Sequence, residues 1–276
     1  MGLRIDKWWK SHVVIGSILF FLISMPLIWG AIFPLLEGME KVWQGVIKYG
    51  LSALVAWLII QFIWQGEKLL GMQSSFWRGL FSFGLLGVIG AFGAFFFSRD
   101  TVDVMPSAMT ILGCILMNLA IAVSEEFIFR IAILNYMLKA WQDKKQALIY
   151  ALIACNVIFG LRHLLNLITM PQTVLLTLAQ VVFTFMAGLY LCAVYLRTRN
   201  IWICVMIHFL EDFGTSVWEI FSTSASLSAN ADGNIFAALG MITLQIPYVI
   251  FAVLMLRDKN WQFDADSTAS SQAVVK

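Results

Sequence analysis

The chain carries very little charge. Only 12% of its 276 residues are Asp, Glu, Lys or Arg, against about 25% in an ordinary soluble domain. With 61% hydrophobic residues and a mean hydropathy of +0.85, that scarcity excludes a soluble globular domain, and no nucleic-acid partner is expected. The apolar-out, polar-in alternation of a membrane β-barrel is absent. There is no Cys-x-x-Cys pair; Cys114, Cys155, Cys192 and Cys204 all fall inside apolar segments and read as small buried hydrophobes, silent about redox compartment. No small-residue cleavage pattern follows the first apolar segment, which is long for a signal peptide and reads as a retained helix. Neither an internal repeat nor broken apolar segments, the marks of an inverted-repeat transporter, are evident.

What is present is a series of eight apolar segments near the ~20 residues that span a bilayer. They run over 12–36, 45–64, 78–97, 107–138, 146–168, 172–196, 200–222 and 234–256. The expected fold is all-α, a polytopic membrane helix bundle of about eight transmembrane helices with a buried polar cavity. Residues 1–261 form a single domain, and the polar stretch 262–276 is expected to be a disordered cytoplasmic tail. Segment 65–77 has the look of a short interfacial helix ending at Trp77 and Arg78, and 223–233 that of an outside loop. Trp8, Trp9, Trp43, Trp77, Trp202 and Trp261 lie near span ends, as an aromatic belt requires.

The charge that does exist is unevenly spread. With the N-terminus inside, thirteen of the 18 Lys and Arg fall in cytoplasmic segments, and only Lys41, Lys48 and Arg99 fall outside. The bias places both termini in the cytoplasm of a multi-pass cell-membrane protein.

Three charges sit where they are most costly, in Ser124-Glu125-Glu126-Phe127-Ile128-Phe129-Arg130. Each would cost roughly 2.5–3.5 kcal/mol at mid-bilayer, so they need partners, water or a chemical task. Glu126 and Arg130 are one turn apart on one face and can pair. Glu125 points about 100° away, together with Asn118, and is read as the unpaired carboxylate. A carboxylate stripped of water is a stronger base. The fifth segment puts Asn156, Phe159 and His163 on one face, and Gly160 permits a close helix approach. Arg162 points elsewhere, toward a helix–helix ion pair or a snorkel to the interface. The seventh segment carries His208 and Asp212 one turn apart, and Thr215 and Glu219 continue that stripe toward the bundle interior or a water-filled cavity. Each motif has a plain structural reading as polar glue between helices, and for Glu126, Glu211 and Glu219 that reading is favoured.

Glu-Glu-x-x-x-Arg, Phe-x-x-x-His and His-x-x-x-Asp in this order on separate membrane helices resemble the CAAX protease and bacteriocin-processing family of intramembrane proteases, which includes the Ras-converting CAAX endopeptidase. The resemblance covers residues 107–222. It implies that Glu125, with His163, activates the hydrolytic water, that His208 and Asp212 hold the developing oxyanion, and that Glu126, Arg130 and Phe159 support them. An ionised aspartate would repel an oxyanion, so Asp212 is either protonated or orients His208. Glu125, His163 and His208 would suit zinc with an open water position, although the H-E-x-x-H signature is missing. The resemblance favours metal-free glutamate catalysis; no cofactor is expected, and zinc is the open alternative.

The implied activity is endopeptidase cleavage of a membrane-associated or lipidated peptide or protein. The short loops point to a bacterial source, and hence to peptide or bacteriocin processing or immunity. A second reading is a non-catalytic membrane-protein partner that regulates a sensor kinase or another membrane protein. A third is a proton-coupled transporter using the same glutamates as a relay. His208, eight residues into its helix, would lie roughly 12 Å from the cytoplasmic end at 1.5 Å per residue, buried but within reach of it.

Overall fold

In a bilayer, backbone polar groups find no water, so a long apolar run closes its own hydrogen bonds as a helix. The computed structural model describes residues 11–62, 74–98, 102–169, 174–222 and 235–257. Among them are eight helices long and apolar enough to cross a membrane. They are α1 (Val13–Leu35), α2 (Lys41–Gln61), α3 (Phe76–Phe97), α4 (Ala108–Ala140), α5 (Ala147–Ile168), α6 (Val174–Thr198), α7 (Ile201–Phe221) and α8 (Ile235–Arg257). No strand occurs among the described residues. The outer faces are apolar, with Phe97 85%, Met105 82% and Leu35 79% exposed, while Glu125, Glu126, Arg130, Asn156, His163 and His208 are buried. Such an inside-out distribution belongs in lipid, and the protein is a multi-pass membrane protein.

The helices agree with the apolar segments to within a few residues, with instructive exceptions. α2 starts at Lys41, so Lys41 and Lys48 lie on the helix and not in a loop. Its first turn is closed by Trp43 and Gln44 amides donating to the Glu40 carbonyl, because Lys and Gln are good helix formers that extend the helix beyond its apolar run. Trp77 and Arg78 open α3; the rest of the expected interfacial helix, the outside loop 223–233, the tail 262–276 and Trp8, Trp9 and Trp261 lie outside the described residues.

The expectation of unbroken spans is corrected. α1 is interrupted at Met25, whose φ of −132° and ψ of −76° are not helical, and resumes at Pro26. α8 divides into Ile235–Thr243 and Ile246–Arg257. Pro26 and Pro247 supply the cause, since a proline has no N–H to continue the ladder. Neither break carries a charged side chain.

α4 is the axis. Its 33 residues extend about 50 Å at 1.5 Å each, well beyond a hydrocarbon core of about 30 Å. Residues Phe127 to Leu138 are buried all round. Over Phe127–Leu134 the helix widens to π geometry, which leaves carbonyls without their usual partners. Neighbouring side chains take them. Asn135 Nδ2 donates to the carbonyls of Arg130 and Ile131 at 3.0 and 2.9 Å, and Cys155 Sγ donates to that of Phe129 at 3.3 Å. α2 lies along the first half of α4, α7 packs between α3 and α4, and α5 meets the π segment and α6. Glycines set the approaches. A Cβ on Gly45 would meet Met117, one on Gly113 would meet Val42, and one on Gly160 would lie 2.6 Å from the Val181 carbonyl oxygen. The close approach expected at Gly160 is thus made by the backbone of α6.

Candidate active site

The carboxylates of Glu125 and Glu126 end the regular part of α4, immediately before the π segment. Both are essentially inaccessible, at 1% and 0% exposure. Adjacent residues on a helix diverge by about 100°, and the two acids accordingly find different partners.

Glu126 Oε2 lies 3.2 Å from Arg130 Nε, one turn on, as the spacing predicts. Its other oxygen, Oε1, accepts from Nδ1–H of His208 at 2.8 Å. The Arg130 guanidinium, fully buried, stacks 4.5 Å above the centre of the Phe159 ring, a placement worth about 2 kcal/mol where water is excluded. Its two terminal nitrogens have no hydrogen-bond acceptor among the described residues, so the ring face is a principal compensation for burying them. Phe159 also meets His163 and His208 edge-on, with centroids 5.8 and 6.3 Å away, and Phe129 at 4.8 Å. It is the apolar post around which the cations and imidazoles are arranged.

Glu125 is not the unpaired acid that its helical face suggested. Arg162 Nη2 lies 2.5 Å from its Oε1. The same nitrogen lies 3.3 Å from His163 Nε2. Arg162 is therefore the helix–helix ion-pair partner and does not snorkel to an interface. The α-helical part of α5 ends with Arg162, and His163 begins a 3₁₀ turn within the same span. The second oxygen of Glu125 faces His208 Nε2 at 3.8 Å.

His208 draws the cluster together. Nδ1 is held by Glu126, and Nε2 faces Glu125 and, at 3.4 Å, Asp212 Oδ2. Asp212 is the open side of the site, with 35% of its side chain exposed. The stripe beyond it departs from expectation. Thr215 and Glu219 are exposed, and Thr215 Oγ1 donates to the carbonyls of Glu211 and Asp212. Only the His208 end of the stripe faces the interior. Glu211 leaves the cluster altogether and accepts from Tyr248 on α8 at 2.5 Å. Asn118, expected beside Glu125, instead ties α4 to α7 by accepting from Ser216 at 3.1 Å. Asn156 donates to the Leu152 carbonyl beneath Gly188.

A zinc site built from Glu125, His163 and His208 does not fit this arrangement. The Arg162 guanidinium lies against both Glu125 and His163, where a second cation would be repelled. Among the described residues no three His, Cys, Asp or Glu side chains are grouped to hold a metal. The four cysteines are free and buried.

Residues 107–214 match the family model described as Rce1-like, type II CAAX prenyl endopeptidase. No curated protein and no solved structure matches the chain. The matched segment spans α4 through most of α7 and contains Glu125, Glu126, Arg130, Phe159, His163, His208 and Asp212; it omits α1 to α3 and α8.

Proposed function

We propose, from the Rce1-like segment this chain carries, that it is an intramembrane endopeptidase using Glu125 to activate water against a peptide bond at the membrane. The observation that carries this reading is the way His208 is held. One ring nitrogen is fixed on Glu126, and the other is turned toward Glu125 and Asp212, of which Glu125 is buried and Asp212 is 35% exposed.

In the proposed reaction Glu125, joined to His163 through Arg162 Nη2, accepts a proton from the hydrolytic water. The hydroxide oxygen bonds to the substrate carbonyl carbon, and the carbonyl π electrons move to oxygen. His208, as an imidazolium with an N–H on each ring nitrogen, keeps Nδ1–H on Glu126 and donates from Nε2–H to that oxyanion, a donor placed in advance. Collapse expels the amine, which takes the proton held by Glu125, so that protons and electrons balance. Asp212, an acceptor 3.4 Å from the donating nitrogen, is cast as the residue that orients His208. Arg162 offsets the charge of Glu125, and Arg130 that of Glu126. No step requires a metal.

The substrate proposed is a membrane-associated or lipidated peptide or precursor. In a bacterial cell this means a peptide or bacteriocin leader, or the target of an immunity function. The distribution of Lys and Arg supports a cytoplasmic side for both termini.

The test is cleavage of membrane-associated and leader peptides by purified protein, wild type against Glu125→Ala, read by mass spectrometry with and without a chelator. Cleavage that Glu125→Ala abolishes and chelation leaves intact is the expected result. Loss on chelation would replace glutamate chemistry with zinc. Absence of cleavage, joined to a cellular phenotype that Glu125→Ala retains, would replace the enzyme with a non-catalytic membrane partner.

A further inference from the structure

α7 exposes two different faces. Trp202 and Met206, apolar and exposed, lie about 130° around the helix from His208, Asp212 and Thr215. Gly214 packs on α3, where a Cβ would lie 2.8 Å from the Ala91 carbonyl oxygen. Ser216 is bonded to Asn118 of α4, and Glu211 to Tyr248 of α8. Thr215 points between these neighbours, on the side of His208. Its exposure is therefore toward the inside of the bundle and not toward lipid. Glu219 follows one turn on and is also exposed. An acid in hydrocarbon is costly, so the face that runs from buried His208 past partly exposed Asp212 to Thr215 and Glu219 is a wetted one.

The polar surface continues beyond the site in the same direction on α5 and α6. Three residues after His163, Asn166 Nδ2 donates to Gln180 Oε1 of α6 at 3.0 Å, and both residues are half-buried. In the opposite direction the bundle is solid. Ile131 and Leu134 of α4, Leu191 and Val194 of α6, and Ile201 and Val205 of α7 are at most 3% exposed. Asn135 of α4 donates to Tyr195 Oη of α6 at 3.0 Å across that block. The stretch from Ile201 to His208, the shorter path along α7, is thus filled by packed side chains. Thr215 lies roughly 10 Å from His208 on the wetted side.

The wetted direction leads to the end where α7 finishes and α4 begins. The two are tied there by the Asp103 and Val104 amides, which donate to the Phe221 carbonyl at 2.9 and 3.1 Å. The packed direction leads to the α4–α5 and α6–α7 connections, which carry Lys144, Lys145 and Arg199. Lysine and arginine collect on the cytoplasmic side of a membrane.

We infer that the site opens away from the cytoplasm, so that the peptide it receives is an exported or outward-facing segment. The choice of substrate rests on the endopeptidase reading; the direction of opening does not.

The experiment uses the full chain in membrane vesicles, right-side-out and inverted, with a membrane-impermeant maleimide. The four native cysteines are buried and stay in place, with wild type as the background. Thr215→Cys and Glu219→Cys probe the wetted face. Glu40→Cys, just before α2, and Lys144→Cys, between α4 and α5, are exposed markers of the two ends. Val157→Cys is exposed on α5 within an apolar stripe with Ile153 and Leu161 and reports a lipid-facing thiol. Thermal unfolding in detergent is recorded for each variant, and Glu219→Cys gives the answer if Thr215→Cys does not fold. Thr215→Cys, Glu219→Cys and Glu40→Cys are expected to label in right-side-out vesicles and not in inverted ones, Lys144→Cys the reverse, and Val157→Cys in neither. A membrane-impermeant peptide that the purified protein cleaves should be cut by right-side-out vesicles and spared by inverted ones.

Labelling of the α7 probes from the Lys144→Cys side, or no faster than Val157→Cys, would overturn the inference. So would labelling of Lys144→Cys from outside the cell, or cleavage by inverted vesicles alone. The expected labelling in a protein that cleaves no peptide would uphold the outward opening and sink the endopeptidase reading alone.

Discussion

Arg162 and Glu125 form a buried ion pair, 2.5 Å from Nη2 to Oε1, with 8% and 1% of their side chains exposed. The pair joins α5 to α4 and places the carboxylate of the proposed reaction against a cation one residue before His163. Around it the site holds its negative charge in an ordered way: Glu125 on Arg162, Glu126 on Arg130 and His208, and Asp212 at the open edge.

Removing one member of this pair leaves the other as a lone buried charge. Arg162→Gln and Glu125→Gln are each expected to destabilise the protein by about 3–5 kcal/mol, and the double variant by clearly less than the two together. Thermal unfolding in detergent checks this; additive losses would mean that the two side chains do not pair in the folded protein.

The Arg130 guanidinium lies on Phe159 with no acceptor for its terminal nitrogens. Phe159→Leu keeps most of the volume and removes the aromatic face. A loss of about 1–3 kcal/mol is expected from the cation–π contact and the changed shape. If Phe159→Leu unfolds like wild type, the ring face does not compensate the buried cation.

Gly160 faces the Val181 carbonyl oxygen and Gly188 faces Asn156, whereas Gly30 and Gly50 face open space. Backbone cannot swing aside as a side chain does, so Gly160→Ala should force α5 and α6 apart, at a cost of about 1–3 kcal/mol. Gly30→Ala and Gly50→Ala should be neutral or slightly stabilising, by up to about 1 kcal/mol. The same unfolding assay, run on the three variants together, tests the helix approach directly.

Asp212 faces the donating nitrogen of His208. As an orienting acceptor it should tolerate Asp212→Asn, whose amide oxygen accepts in the same place, with kcat reduced by no more than about tenfold. Asp212→Ala should lose about a hundredfold or more, in the range of removing a group that aligns a catalytic donor. An Asn variant as inactive as the Ala variant would assign the role to the carboxylate charge.

The positions of the eight helices were legible because each is a run of apolar residues long enough to cross a bilayer, a property of local composition. The site residues were legible for the related reason that charge in such a run is costly, so Glu125, Glu126, Arg130, His163 and His208 stood out against their surroundings. The Glu126–Arg130 pair followed from a spacing of one turn within one helix. The interruptions of α1 and α8 had a local cause in Pro26 and Pro247, but their apolar runs continue across the breaks, and hydropathy therefore passed over them.

The partners across helices had no such local signature. Whether Glu125 meets solvent, His163 or Arg162 depends on where α5 ends and how α4 and α5 are rotated about their axes. Helical spacing along one segment says nothing of either. His208 reached Glu126 as well as Asp212. Composition and period act within a segment and mark which buried residues are charged or polar; contacts between segments come from packing the whole bundle, and they determine which of those residues are paired with one another.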